Sequence, residues 1–163
     1  MRVINIAIAA ALIAGASHVY AQQMSSEEFV TMAASSDMFE VQSGQLAAKN
    51  SKAASIQQFA EMMVADHTKA SQELKAAAGE AKITVPTQMI DKHATQLGKL
   101  QNAQGKAFDK AYIEAQVAAH QEALKLMQSY AQNGDSEPLK AHATKASPIV
   151  QRHLEHVQKL AGQ

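Results

Sequence analysis

The chain has 163 residues, 15 basic side chains balanced by 15 acidic ones, and neither cysteine nor tryptophan. That length fits one domain. Lysines scattered among acids, with no basic block, argue against nucleic acid as a partner. Without cysteine there is no disulfide, no thiolate metal site and no lipid-anchored cysteine. Abundant alanine, few glycines and prolines, and an aromatic content of 4% argue for an all-α chain.

Residues Met1 to Ala21 have the form of a secretory signal peptide. Arg2 precedes an apolar run from Ile4 to Ala16, too short for a bilayer-spanning helix, and Val19-Tyr20-Ala21 offers a cleavage site. The expected division is a leader over residues 1–21 and one helical domain over residues 22–163. No later stretch is long and apolar enough to cross a membrane. The protein is therefore expected to be exported, which in a Gram-negative cell means the periplasm.

The first helix is expected to start at Ser25, where serine and Glu28 form a capping box, and to run to about Lys49. Its inward side carries Phe29, Ala33, Ser36, Glu40, Ser43 and Ala47. Asn50-Ser51 is a short break, with Ser51 as the next cap, so the first two helices form an antiparallel hairpin. The second helix, about Lys52 to Glu80, carries the stripe Phe59, Met63, His67, Ala70, Leu74. Val85-Pro86 interrupts the helical pattern, and Thr87 caps a short helix from about Gln88 to Gln101. A long helix follows from about Ala107 to Gln132, with Ile113, Val117, His120, Leu124 and Met127 on one face. The last runs from about Glu137 to Ala161, with His153 on its stripe and Pro148 expected to kink or split it at Ala146-Ser147.

Four long helices thus each place a polar group where an apolar one is expected: Glu40, His67, His120 and His153. At ~1.5 Å per residue, Glu40 lies ~15 Å from the Asn50 end, His67 ~24 Å, His120 ~20 Å and His153 roughly 15–20 Å. They share one level only if the short helix is a crossover, so that the second and third long helices run parallel. Three imidazoles and a carboxylate suit one divalent transition metal: zinc, iron, manganese or copper. Asp66, Asp109 and Glu114 are expected as further ligands or as acceptors for imidazole N–H groups. No helix carries the Glu-x-x-His pair of di-iron bundles, since Val64, Val117 and Val150 stand three before the histidines.

A metal-free network of buried hydrogen bonds explains the same residues, and so does a cluster that loosens on protonation. Met63, Met127 and Met38 either fill gaps between helices or lend soft ligands to Cu(I). His93, His142 and His156 read as surface or flanking residues. No nucleophile elbow or phosphate loop is present. A catalytic role is not indicated, although metal-dependent redox activity stays open.

The order and spacing of Phe29-Val30, Ala33-Ala34, Glu40, Gly44, Leu46-Ala47, Phe59-Ala60, Met63-Val64 and Asp66-His67 resemble the bacterial DUF4142 family. So do Phe108-Asp109, Tyr112, Val117, His120, Pro148 and His153-Leu154 further along. The resemblance spans about Ser25 to Leu160 and implies a ferritin-like four-helix bundle, with a short crossover helix between two helical hairpins. The family's polar positions then fall on Glu40, Asp66, His67, Asp109, His120 and His153. It implies no activity, because the family is one of unknown function. Its frequent outer-membrane label does not fit a chain with neither barrel strands nor a lipid anchor. The functional expectation is a periplasmic metal-binding bundle in metal handling or envelope stress. The alternative is a structural module that meets an envelope protein or a second copy of itself.

Overall fold

The computed structural model describes residues 24–162, and the expected leader with its cleavage site lies outside the described residues. Five helices follow one another: α1 (Ser26–Asn50), α2 (Ala54–Glu80), α3 (Asp91–Gln101), α4 (Gly105–Asn133) and α5 (Glu137–Ala161). Among the described residues there is no strand, and no helix is long and apolar enough to cross a membrane.

Local chemistry sets some of these boundaries and tertiary contacts set others. The Ser25 hydroxyl accepts from the Glu28 N–H at 3.2 Å, and the Glu28 carboxylate accepts from the Ser25 N–H at 3.1 Å. This is the expected capping box, which satisfies donors left open at the start of a helix. Ser51 does not cap α2, whose N-cap is Ala53, but its hydroxyl accepts from the Ala53 N–H within the turn. α2 ends before Val85-Pro86 is reached. Lys82 adopts a left-handed φ of 58°, and the Ile83 N–H bonds the Ala78 carbonyl at 2.8 Å, closing the helix in a Schellman motif.

α3 starts at Asp91 rather than at Gln88. The buried Ser35 of α1 accepts from the Ile90 N–H at 2.9 Å and bonds His93 Nδ1 at 2.7 Å. A side chain from another helix thus does the capping that Thr87 was expected to do. α5 runs unbroken through Pro148, against the expectation of a split. It is held between α4 and α2 on both sides of the proline, and packing on that scale outweighs the loss of one backbone bond.

The helix directions follow from cross-helix pairs. Phe29 near the start of α1 stacks on Tyr130 near the end of α4, with ring centroids 4.0 Å apart. Ser26 bonds the same tyrosine hydroxyl at 2.6 Å and also bonds Asp135 beyond the end of α4. Asp66 meets His153, and one turn pair further Glu73 meets Lys145, so α2 and α5 are antiparallel. α1 and α4 are antiparallel as well, which makes α2 and α4 parallel. The connector therefore runs back along the bundle, and α3 lies across α1 and α4. This is the ferritin-like crossover arrangement of two hairpins.

The apolar core is not continuous. One cluster, around Phe39, Phe59, Phe108, Tyr112 and Val157, fills the Asn50 end. A second, around Phe29, Val30, Leu74, Tyr130 and Leu139, fills the Ser26 end. The polar residues lie between them. α1 and α2 are tightly packed at Gly44, where a Cβ would stand 2.9 Å from Val64 Cγ2 and 3.0 Å from the Ala60 carbonyl oxygen. Gly98 in α3 has open space instead. Gly44→Ala is expected to lower unfolding free energy by about 1–3 kcal/mol through overpacking. Gly98→Ala should raise it by about 0.5–1 kcal/mol through helix propensity alone. Urea denaturation of the two variants beside the parent checks both signs.

Candidate metal centre

The inward stripes of α2, α4 and α5 bring His67, His120 and His153 to one level, all buried. Their ring centroids form a near-equilateral triangle with sides of 5.7, 5.6 and 5.5 Å. One ring nitrogen from each lies within 4.8 Å of the other two.

The hydrogen bonds decide what those nitrogens can do. His120 Nδ1 lies 2.9 Å from the Gln116 carbonyl oxygen. A carbonyl only accepts, so Nδ1 carries the hydrogen and, in the neutral ring, Nε2 holds the lone pair. His67 Nδ1 lies 2.8 Å from Asp37 Oδ1 and His153 Nε2 lies 2.9 Å from Asp66 Oδ2. Both therefore donate to carboxylates. The atoms left over are His67 Nε2, His120 Nε2 and His153 Nδ1, each buried without a protein hydrogen-bond partner. Three rings that each spend one nitrogen on a carboxylate or carbonyl, and keep the other free, have the arrangement of metal-ligating histidines. Unmatched buried polar atoms are otherwise rare because each costs about 1–3 kcal/mol. Bonds of about 2.0–2.1 Å to a tetrahedral ion place ligand nitrogens roughly 3.3–3.4 Å apart, a spacing compatible with ring nitrogens that lie within 4.8 Å of one another.

Charge is distributed unevenly around the triangle. Burial pulls the His67 pKa down, but the hydrogen bond it donates to Asp37 and the charges of Glu40, Asp37 and Asp66 together raise it above the ordinary value. Burial, with repulsion from His67, lowers His120 to about 4. Burial likewise lowers His153 to about 4, helped by the two other rings and opposed by Asp66. Near neutral pH two rings are thus bare and the third takes up a proton most readily.

Glu40 stands beside the triangle rather than in it. One carboxylate oxygen accepts from Gln116 Nε2 at 2.6 Å, and the other lies 3.7 Å from His120 Nδ1, the nitrogen that is already committed. Burial raises its pKa to about 7, with His67 and Gln116 opposing. Asp66 holds His153, as an outer acceptor would. Glu114 does not belong to the site: its side chain is 64% exposed and pairs with Lys110 one turn away, since α4 turns Ala115 and Gln116 inward instead. Asp109 lies three turns before His120 on the same helix, about 16 Å along the axis, and cannot reach the triangle.

Two residues of the site were not anticipated. Asp37 sits three before Glu40 and Gln116 four before His120, spacings that share a helical face. Those spacings were the available signal. His93 and His142 are buried, contrary to the sequence reading, because His93 stacks on Phe39 and bonds Ser35 while His142 meets the edge of Phe29. His156 is exposed as expected.

A solved structure described as CopM in the Cu(II)-bound form is similar to this chain, with a TM-score of 0.71. The match covers 85% of this chain and 97% of that one, at 16% identity, and so shows a shared fold. No curated protein matches the sequence. Residues 13–160 match the domain of unknown function DUF4142, and the chain belongs to that family.

Proposed function

We propose that this protein is an exported metal-handling bundle that binds one transition metal ion through His67 Nε2, His120 Nε2 and His153 Nδ1. Copper(II) is the first ion to test. Two observations carry the reading: three buried histidines bring one ring nitrogen each within 4.8 Å of the others, and each of these rings keeps one buried nitrogen without a protein partner. Imidazole suits copper, and among divalent first-row ions copper(II) binds most tightly to a given nitrogen site. The likeness to a copper-bound bundle points the same way. Asp37 and Asp66 orient two of the ligand rings, while Glu40 supplies a buried counter-charge behind the third. Bound there, the ion would link the hairpin of α1 and α2 to the hairpin of α4 and α5, because His67 belongs to one and the other two histidines to the other.

The chain exported and isolated without chelator is expected to carry close to one metal ion per molecule by elemental mass spectrometry. His67→Ala and His120→Ala should abolish that content, and Asp37→Asn should weaken affinity about 10–100-fold. A chain free of metal, with no thermal shift on adding copper, zinc, iron or manganese, would leave the buried polar network as a structural device and remove the metal reading.

Metal binding should also depend on pH in a defined direction. An ion competes with the proton on His67, whose pKa is raised, and discourages the proton on Glu40, whose carboxyl titrates at about 7. His120 and His153 have already lost theirs at any pH well above 4. Affinity should therefore rise with pH through neutrality, with about one to two protons released per ion rather than three or more. Calorimetry at pH 7 in buffers of different ionisation enthalpy measures that number, and a value of zero would contradict the assigned ligands.

A further inference from the structure

A cavity of about 210 Å³ lies between α2 and α5 and touches two of the three ligand rings, His67 and His153. It extends from the histidine level toward the Ser26 end, with Asp37 and Met127 in its wall and Lys69, Glu73, Lys145 and Arg152 among its lining. Its origin is a set of small side chains. Ala70 on α2, Ala123 on α4 and Ala146 on α5 all line it, each about a turn or two from its own helix's histidine. Large side chains at these inward positions would fill the space as they do elsewhere in the bundle.

The donor count gives this cavity a meaning, on the assumption that the metal reading above holds. Three nitrogens leave a copper(II) or zinc ion short of a full coordination sphere. The nearby carboxylates are already engaged: Asp37 by His67, Asp66 by His153 and Glu40 by Gln116. On the His120 side the space is taken by Gln116, itself fully buried, and by the bond it makes to Ser43. On the cavity side the adjacent carboxylates, Asp37 and Asp66, are bonded to the outer nitrogens of two ligand rings, and open space remains beside them. We infer that the remaining coordination position faces the α2–α5 cavity, and that a small monodentate ligand from solvent fills it, water at rest and a small anion in exchange. The site is then an open one, of the kind that trades ligands, and not a closed structural clamp.

Azide is the probe. The full-length mature chain is loaded with copper(II), its stoichiometry is measured, and azide is titrated while the charge-transfer absorption and the electron paramagnetic resonance spectrum are followed. The expected result is one saturable azide per copper in the parent protein. Ala70→Leu and Ala146→Leu, which fill the cavity from opposite helices without touching a ligand atom, should retain copper and lose at least tenfold in azide affinity. Either variant that folds is sufficient. Bound copper that is blind to azide, or equal azide affinity in the parent and the filled variants, overturns this inference and leaves the metal site standing. A parent that binds none of copper, zinc, iron and manganese, established before any azide is added, overturns both.

Discussion

A layer of buried polar side chains across the middle of the bundle sets the terms for everything around it. Asp37, Glu40, Ser43, His67, Gln116, His120 and His153 are all withdrawn from water. Each must find a partner, because an unmatched polar group in such a place costs more than one hydrogen bond returns. No single helix can meet that demand. α1 supplies the acids and no imidazole, while α2, α4 and α5 supply one imidazole each. The bonds that the layer does make between helices form only when four helices present the same level to one another, and that requires α2 and α4 to run parallel. The long connector is the covalent consequence of a requirement that originates in hydrogen bonding.

The two apolar clusters on either side give the layer its rigidity. Phe39 and Phe59 press from one direction and Leu74 and Met127 from the other, so the rings have little freedom to swing toward alternative partners. Every histidine of the layer is fixed through one nitrogen, which leaves the other aimed by default. Local consistency is broken where the three rings meet, each keeping one buried nitrogen without a protein partner. Such a break in an otherwise consistent core is where function is most often found.

The stripe pattern revealed His67, His120, His153 and Glu40 as inward groups, since each stands where an apolar residue keeps helical register. It also showed that they share a level only under crossover topology, the arrangement that the Phe29–Tyr130 and Glu73–Lys145 pairs establish. What escaped the pattern has a common cause. Asp37 and Gln116 lie off the expected stripes and are buried because neighbouring helices cover them. His93 and His142 are buried by partners distant in sequence, Ser35 and Phe29. The start of α3 is set by Ser35, 55 residues earlier than the Ile90 amide it receives. Glu114 was misplaced because the buried face of α4 is centred on Tyr112, Gln116 and Ala119 rather than on Ile113 and Val117. Periodicity locates a face to within one residue, and one residue on a helix is a rotation of about 100°.

The path of α3 carries a further consequence. A return connector must lie against one side of the bundle, and here it is laid over α1 and α4, pinned by Ser35 and by Leu97 and Leu100 in the core. That choice roofs the side on which Glu40 and Gln116 are found. The opposite seam, between α2 and α5, receives no such cover. A nearly symmetric bundle thereby acquires a back and a front, assigned by chain connectivity rather than by the histidines themselves. Changes in the length or sequence of the connector would remodel the back wall and leave the front unaltered, so the two sides are free to diverge independently.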